Sequence, residues 1–306
     1  MPKFSLERSI MIRATAAAVF ANVKDFQNWA GWSPWILAEP MCKLDYSEDG
    51  RGYSWSGDII GSGKMEVMDT VENRELHYRL TFLKPFKSVS SVSFFFDECS
   101  EETNTRWTMS GDLPFFLFWM KKMTVAAISM DYDRGLRMLK DKIELGWVPS
   151  LMKFAGFEMI DGFEYVGLSN DCRIPEISVR LGEDMQKATA LAKESGLKIS
   201  GPPVCFYDTF EVSKGTASYT VALPVEAGSP CPTGLISGTM PDQKCYAIHH
   251  TGPYRHLGNP WAAGTMHQRA KLFAQNKSTS PFEIYLSDPA NVAEEELSTS
   301  VCFPAK

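Results

Sequence analysis

A single long amphipathic helix, predicted from Met120 to Leu145, restricts how the first half of this chain can fold. Its apolar residues recur every three or four positions, as one face of a helix requires: Val125, Ile128, Tyr132, Leu136, Leu139 and Ile143. Gly146 follows as a helix stop. Several extended segments precede the helix, and a one-sided sheet has an apolar face that needs cover. We therefore expect the helix to lie along that sheet.

The segments before the helix are typical of an antiparallel meander. An imperfect apolar alternation from Phe4 to Ile12 predicts a first strand, and the alanine-rich stretch from Ala14 to Val23 predicts a short helix. Turn sequences such as Glu48-Asp49-Gly50 separate the segments that follow. The predicted strands cover residues 43–46, 51–59, 63–71, 76–82, 88–97 and 105–110. This half is predicted to be α+β.

Chain length favours two domains. At 306 residues the chain is about twice the common domain size. Pro149-Ser150 follows the long helix and places the boundary there. We expect one domain at residues 1–147 and a second at residues 150–306, each with its own core.

Charge and cysteine content limit the function. The net charge is −6 and neither half has the basic excess that phosphate contacts require, so no nucleic-acid partner is expected. The seven cysteines are odd in number and lack a C-x-x-C pair, which favours reduced thiols in a cytoplasmic protein without a zinc site. The most apolar run, Leu113 to Met120, is shorter than the roughly 20 residues of a membrane span. No secretory signal, metal or other cofactor is predicted.

The second half contains a weak internal repeat of strand, helix, strand and strand. The first copy covers residues 163–169, 182–195, 204–212 and 217–224, and the second covers 244–251, 260–275, 282–286 and 297–304. Each copy would leave one side of its sheet uncovered. We therefore expect the copies to pair about a pseudo-twofold axis, with a cleft between them.

The helix of the second copy is predicted to begin with Asn259 as its cap and Pro260 in its first position. Its expected apolar stripe consists of Ala262, Met266, Ala270 and Phe273. Trp261 lies beside that stripe at the helix start.

The candidate site lies between His249 and Pro289. Glu283 stands between Phe282 and Ile284 in a predicted strand, so its side chain points away from theirs, toward either solvent or the cleft. Burial among aromatic rings would raise the pKa of this carboxyl group, and a bound cation would lower it again. The aromatic residues predicted to surround it are Tyr254, Trp261 and Tyr285, with Tyr207 from the first copy. A carboxylate among rings suits capture of an apolar or cationic molecule.

Three motifs in the first half carry a family resemblance. They are RSIMIRATAAAVFANVKDFQNWAGWSPW near the start, W-S-G-x-x-x-G-S-G-K-M from Trp55 to Met65, and D-x-D-R-G-L-R-M-L-K from Asp131 to Lys140. This half resembles the START-like SRPBCC superfamily, in its polyketide-cyclase and lipid-transport branch. The resemblance implies a helix-grip fold around a deep apolar cavity that Trp55 and Trp107 would help to line. Trp29, Trp32 and Trp35 are expected either to line it or to close one end of the sheet as core.

Motifs of the second half resemble the GyrI-like effector-binding family. They are H-x-G-P-Y from His250 to Tyr254, Trp261, and F-E-I-Y-L-x-D-P from Phe282 to Pro289. The resemblance implies that Glu283, Tyr285, Tyr254 and Trp261 form a ligand cleft. Gly264 and His267 depart from the family pattern, which has bulky apolar and aromatic residues there.

Three functions follow from these expectations. The favoured one is a two-domain small-molecule-binding protein for lipophilic or cationic ligands. The second, implied by the resemblance, is a hydrolase that opens strained cyclopropane-containing toxins, with Glu283 as general base and Tyr285 or Tyr254 as proton donor. The third is a gyrase-inhibitor-type adaptor, although the sequence specifies no protein partner.

Overall fold

The chain forms two compact units, Met1–Pro149 and Ser150–Lys306, in a computed structural model that describes residues 3–112 and 119–306. The predicted apolar run at 113–120 lies mostly outside the described residues. Within the described ranges, no helix is both long and apolar enough to cross a membrane. Both units combine an antiparallel sheet with separate helices, so the fold class is α+β.

The first unit is built on a seven-stranded antiparallel sheet in the order β1-β7-β6-β5-β4-β3-β2. Strand order follows the chain except for β1, which pairs with β7. In the described part of this unit, two α-helices accompany the sheet, α1 (Ala16–Lys24) and α2 (Lys121–Leu145), with short 3-10 helices at Phe26–Gly31 and Ile36–Ala38. The strands are β1 (Lys3–Ile12), β2 (Lys43–Tyr46), β3 (Gly52–Ser56), β4 (Ser62–Val71), β5 (Glu75–Lys84), β6 (Ser88–Cys99) and β7 (Glu102–Asp112).

Helix α2 lies along the sheet as the apolar spacing predicts. Tyr132, Leu136 and Leu139 are buried on its inner face, and the helix ends at Gly146 with a left-handed φ of 85°. Gly135 allows close packing, because a Cβ there would lie 2.8 Å from the Trp107 ring. This half therefore has the helix-on-sheet arrangement expected of a helix-grip domain.

Aromatic side chains fill the interior of the first unit. Trp29, Trp32 and Trp107 are fully buried in its core. The Trp107 ring stacks on Tyr132 with centroids 3.8 Å apart and on Phe94 at 4.8 Å. Burial of several large rings supplies much of the apolar area that stabilises this unit.

The second unit has an eight-stranded antiparallel sheet in the order β12-β9-β11-β10-β14-β15-β13-β8. Its helices are α3 (Ile177–Glu194) and α4 (Gly258–Arg269). The strands are β8 (Leu151–Ile160), β9 (Phe163–Arg173), β10 (Val204–Glu211), β11 (Thr216–Val225), β12 (Ile236–Met240), β13 (Gln243–Thr251), β14 (Phe282–Tyr285) and β15 (Ser298–Pro304).

The predicted duplication is present, and each copy has one strand more than predicted, at its start. The copies are β8-β9-α3-β10-β11 and β12-β13-α4-β14-β15. Each leading strand pairs with the other copy, β8 with β13 and β12 with β9. The copies meet where β10 pairs with β14 at the sheet centre. This exchange of leading strands joins the two copies into one sheet.

Four details predicted for α4 are wrong: the capping residue, the position of Pro260, which is the third helical residue rather than the first, the end of the helix and the buried face. The N-cap residue is Leu257, and the Asn259 side-chain amide instead donates to Ser150 Oγ at 3.0 Å. The helix ends at Arg269, because Lys271 adopts a left-handed φ of 63°. Its buried face is Asn259, Pro260, Ala263, Gly264 and His267 rather than the predicted stripe.

Candidate functional site

Glu283 lies in the central strand pair of the second unit, on the face that carries both helices. Phe282 and Ile284 pack on the opposite face in an apolar cluster. The Tyr219 hydroxyl of β11 donates to Asp184 of α3 on the Glu283 side, while Trp261 reaches Glu283 from α4. Strand alternation therefore directs the carboxylate into the layer between sheet and helices. Its side chain is 1% exposed.

Three neutral donors bond to the Glu283 carboxylate. Trp261 Nε1 donates to Oε1 at 2.5 Å. The hydroxyls of Tyr285 and Tyr207 both donate to Oε2, at 2.6 Å and 3.0 Å. Tyr285 lies two residues along the same strand, whereas Tyr207 comes from β10 and Trp261 from the first turn of α4. Both repeat copies thus contribute to one carboxylate.

The electrostatic balance at Glu283 is unusual for a buried acid. Burial raises its pKa above the ordinary value, although the bonds from Tyr285, Trp261 and Tyr207 act in the opposite direction. In the part of the chain that the structure describes, no cationic side chain acts on this pKa. Burial also raises the pKa of Tyr207 and of Tyr285 well above the usual range, so both hydroxyls remain donors. The site is a desolvated acid held by neutral groups.

Aromatic rings surround these bonds. The Tyr207 ring meets the Trp261 ring edge-on at 4.8 Å, and Tyr254 meets Tyr285 edge-on at 5.6 Å. Tyr254 is 36% exposed and makes no hydrogen bond to Glu283 among those described, but its pKa is raised by burial and by the Glu283 charge. Tyr207 and Trp261 are half-buried. These two rings separate the carboxylate from solvent.

Gly264 and His267 shape the wall behind Trp261. A Cβ at Gly264 would overlap the Phe303 ring of β15. Phe303 in turn packs edge-on against Trp261 with centroids 5.2 Å apart. His267 is buried, with Nδ1 2.7 Å from the Tyr246 hydroxyl and its ring on Phe154. The ring that packs on Trp261 is therefore that of Phe303 on β15, and Gly264 leaves room for it.

Cys205 is a neighbour that the sequence did not identify. It lies directly opposite Glu283 in the β10–β14 register, on the same sheet face. Its thiol is fully buried, and burial together with the Glu283 charge raises its pKa well above the usual value. The spacing of two residues between Cys205 and Tyr207 places both on one face, so strand alternation was the available signal.

Two further predicted ligand residues lie in the other unit. Trp107 is part of the N-terminal core, and its indole N–H has no hydrogen-bond partner among the described residues. Trp55 is half-buried and packs edge-on against Phe82 at 5.9 Å. The remaining five, Glu283, Tyr285, Tyr254, Trp261 and Tyr207, form one cluster in the second unit. Across residues 3–112 and 119–306, no three metal-ligating side chains are grouped for a metal ion.

Family models match both units. Residues 3–144 match the model described as polyketide cyclase / dehydrase and lipid transport. Residues 156–306 match the model described as GyrI-like small molecule binding domain. No curated protein matches the chain in sequence.

Solved structures similar to parts of the chain include two of EcmrR. The EcmrR C-terminal domain is 17% identical to this chain, with a TM-score of 0.43. The match covers 51% of this chain and 98% of the EcmrR domain. EcmrR in its complex with DNA is 15% identical to this chain, with a TM-score of 0.44. The match covers 63% of this chain and 72% of the EcmrR chain. Protein MLL2253 from Mesorhizobium loti is 17% identical with a TM-score of 0.36, covering 45% of this chain and 95% of its own.

Proposed function

We propose that this protein binds lipophilic cations at Glu283. The second unit, which holds Glu283, matches a GyrI-like small-molecule-binding domain, and the first matches a polyketide cyclase and lipid-transport domain. The observation that supports this most is the fully buried carboxylate, which is bonded to three neutral donors and to no cationic side chain among the described residues. A buried carboxylate without a positive partner is costly, and a ligand cation would offset that cost.

The rings around Glu283 define the remaining chemistry of the ligand. Trp261 and Tyr207 are half-buried rings beside the carboxylate, and aromatic rings attract a cation and cover its apolar substituents. Because these rings shield the carboxylate, a ligand would contact them before it reaches Glu283. The ligand class is therefore an amphipathic cation, such as a quaternary ammonium carrying an aryl group.

Calorimetric titration with benzyltrimethylammonium tests this proposal. The control ligand is its uncharged carbon isostere, in which a quaternary carbon replaces the ammonium nitrogen. We expect the cation to bind more tightly, with an affinity that rises with pH as Glu283 ionises through its raised pKa. Equal binding of the two compounds, or an affinity independent of pH, would exclude Glu283 as the cation receptor.

A second candidate function is hydrolysis of a strained electrophile, which the raised pKa of Glu283 also supports. Glu283 would take a proton from water as the water oxygen bonds to a cyclopropane carbon. The ring carbon–carbon bond breaks, and its electron pair takes a proton from the Tyr285 hydroxyl, 2.6 Å from Glu283. Glu283 then returns its proton to Tyr285. Ring opening followed by mass spectrometry tests this function, and turnover that survives Glu283→Gln would refute it.

We propose that the N-terminal unit binds a separate apolar ligand. Among residues 3–112 and 119–306, the buried indole N–H groups of Trp32 and Trp107 have no acceptor, and a polar atom of a ligand would supply one. Fluorescence titration with an aromatic polyketide-like ketone tests this, with Trp107→Phe expected to weaken binding. The acidic balance of the chain supports the expectation that nucleic acid is not a ligand.

A further inference from the structure

One end of the N-terminal unit gathers the β5–β6 turn and the starts of β1 and α2. Strand register places the end of β5 beside the start of β6, and the start of β6 beside the end of β7, which pairs with the start of β1. Helix α2 runs in the same direction as β1. Arg8 of β1 pairs with Asp133 near the middle of α2, and Arg13, just after β1, pairs with Glu144 near the end of α2. The start of α2 therefore lies at this same end.

Large apolar side chains are exposed at this end. Trp119 is 71% exposed just before α2, and Val89 is 57% exposed at the start of β6. Such side chains normally lie in the interior of a protein, and a cluster of them at a surface marks a contact site. We call the following five residues the tip patch: Leu83, Phe86, Val89, Trp119 and Met123.

Exposed lysines alternate with the tip patch along the chain. Lys84 and Lys87 flank Phe86, and Lys121 and Lys122 separate Trp119 from Met123. Among the described residues, the acidic side chains at this end are Asp58 in the β3–β4 turn, Glu39, whose carboxylate accepts from the backbone of that turn, and Asp112 at the end of β7. A locally positive apolar tip therefore stands on a chain whose net charge is −6.

We propose that the tip patch docks on the surface of an anionic lipid bilayer. Trp119 and Phe86 enter the headgroup region, where amphipathic and aromatic rings are stable. The four lysines stay at the level of the lipid phosphates, whose negative surface potential attracts them. The charge pattern favours lipid over a protein partner, because lysine is depleted in protein interfaces. This inference concerns the first unit alone and is independent of Glu283.

Vesicle flotation of the full-length protein tests the proposal. We expect the protein to float with mixed phosphatidylcholine–phosphatidylglycerol vesicles and to stay behind with phosphatidylcholine alone. Each lysine near the surface contributes a factor of about five to partitioning, so Lys84→Gln with Lys87→Gln should reduce partitioning about twenty-five-fold. Trp119→Ala should also reduce it on the same vesicles.

Matched control variants change exposed residues of the same types elsewhere. Trp147→Ala is the control for Trp119, and Lys187→Gln with Lys193→Gln on α3 is the control for the lysines. Both controls should float like the original protein. The proposal is overturned if the original protein does not bind anionic vesicles, or if the tip and control variants bind equally. Self-association or binding to a purified protein through the tip patch without vesicle binding would also overturn it.

Discussion

Replacing Glu283 with glutamine removes the charge that our proposal assigns to ligand recognition while keeping the size of the side chain. The amide can rotate so that its oxygen accepts from Trp261 and its NH2 group donates to the hydroxyl oxygens of Tyr285 and Tyr207. The pocket should therefore keep its shape. Loss of cation binding in this variant would then report on charge rather than on packing.

The expected loss of affinity follows from the burial of the site. Two opposite unit charges about 4 Å apart interact by about 4 kcal/mol at an effective permittivity of about 20. Each 1.4 kcal/mol corresponds to roughly a tenfold change in affinity, so the upper limit is about a thousandfold. Desolvation of the cation offsets part of this energy. We therefore expect Glu283→Gln to weaken cation binding about a hundredfold.

Calorimetry with benzyltrimethylammonium and its carbon isostere separates charge from packing. The isostere should bind the original protein and Glu283→Gln equally well, because it depends on the aromatic wall. Glu211→Gln, which changes an exposed carboxylate on β10 of the same sheet, is the matched control and should leave both affinities unchanged. A Glu283→Gln protein that retains full cation affinity would refute the reasoning.

Three further predictions concern stability. Because burial raises the pKa of Glu283 above its ordinary 4.5, its stabilising contribution is present at low pH and is lost as pH rises through the raised value. Thermal melts should therefore show Glu283→Gln gaining stability relative to the original protein as pH rises, and a constant difference would contradict this. Gly264→Ala should cost about 1–3 kcal/mol in denaturant titrations, because its Cβ would overlap Phe303. The control Gly182→Ala, where the added Cβ of helix α3 meets nothing, should instead gain up to about 1 kcal/mol from helix propensity. Trp107→Ala should cost about 3–5 kcal/mol through loss of a fully buried ring, and a cost under 1 kcal/mol would contradict its core position.

Local sequence patterns predicted most elements of the fold because the elements follow regular apolar spacing. The α2 stripe and the two repeat copies are present in the structure. β8 was missed because Gly156, with a φ of 79°, introduces a bulge opposite β13 that breaks the alternation. β12 is a short edge strand with little buried surface, so it carries almost no apolar pattern.

The site was only partly predictable, for a physical reason. Alternation in β14 indicates the direction of Glu283, and the family motif indicates Trp261. The pairing of β10 with β14 is a long-range contact that local periodicity does not encode. It brings Cys205 opposite Glu283 and the Tyr207 hydroxyl onto its carboxylate. The hydrogen bonds to Glu283 were therefore visible only in the structure.

The most direct test of the account is a carbon-13 NMR titration of the Glu283 carboxyl group, assigned by its loss in Glu283→Gln. We predict a midpoint above the ordinary 4.5 in the free protein, and a lower midpoint when benzyltrimethylammonium is bound, because the cation stabilises the ionised form. A midpoint that is ordinary in the free protein, or one that the bound cation leaves unchanged, would contradict the claim that Glu283 is a desolvated acid that receives a cation.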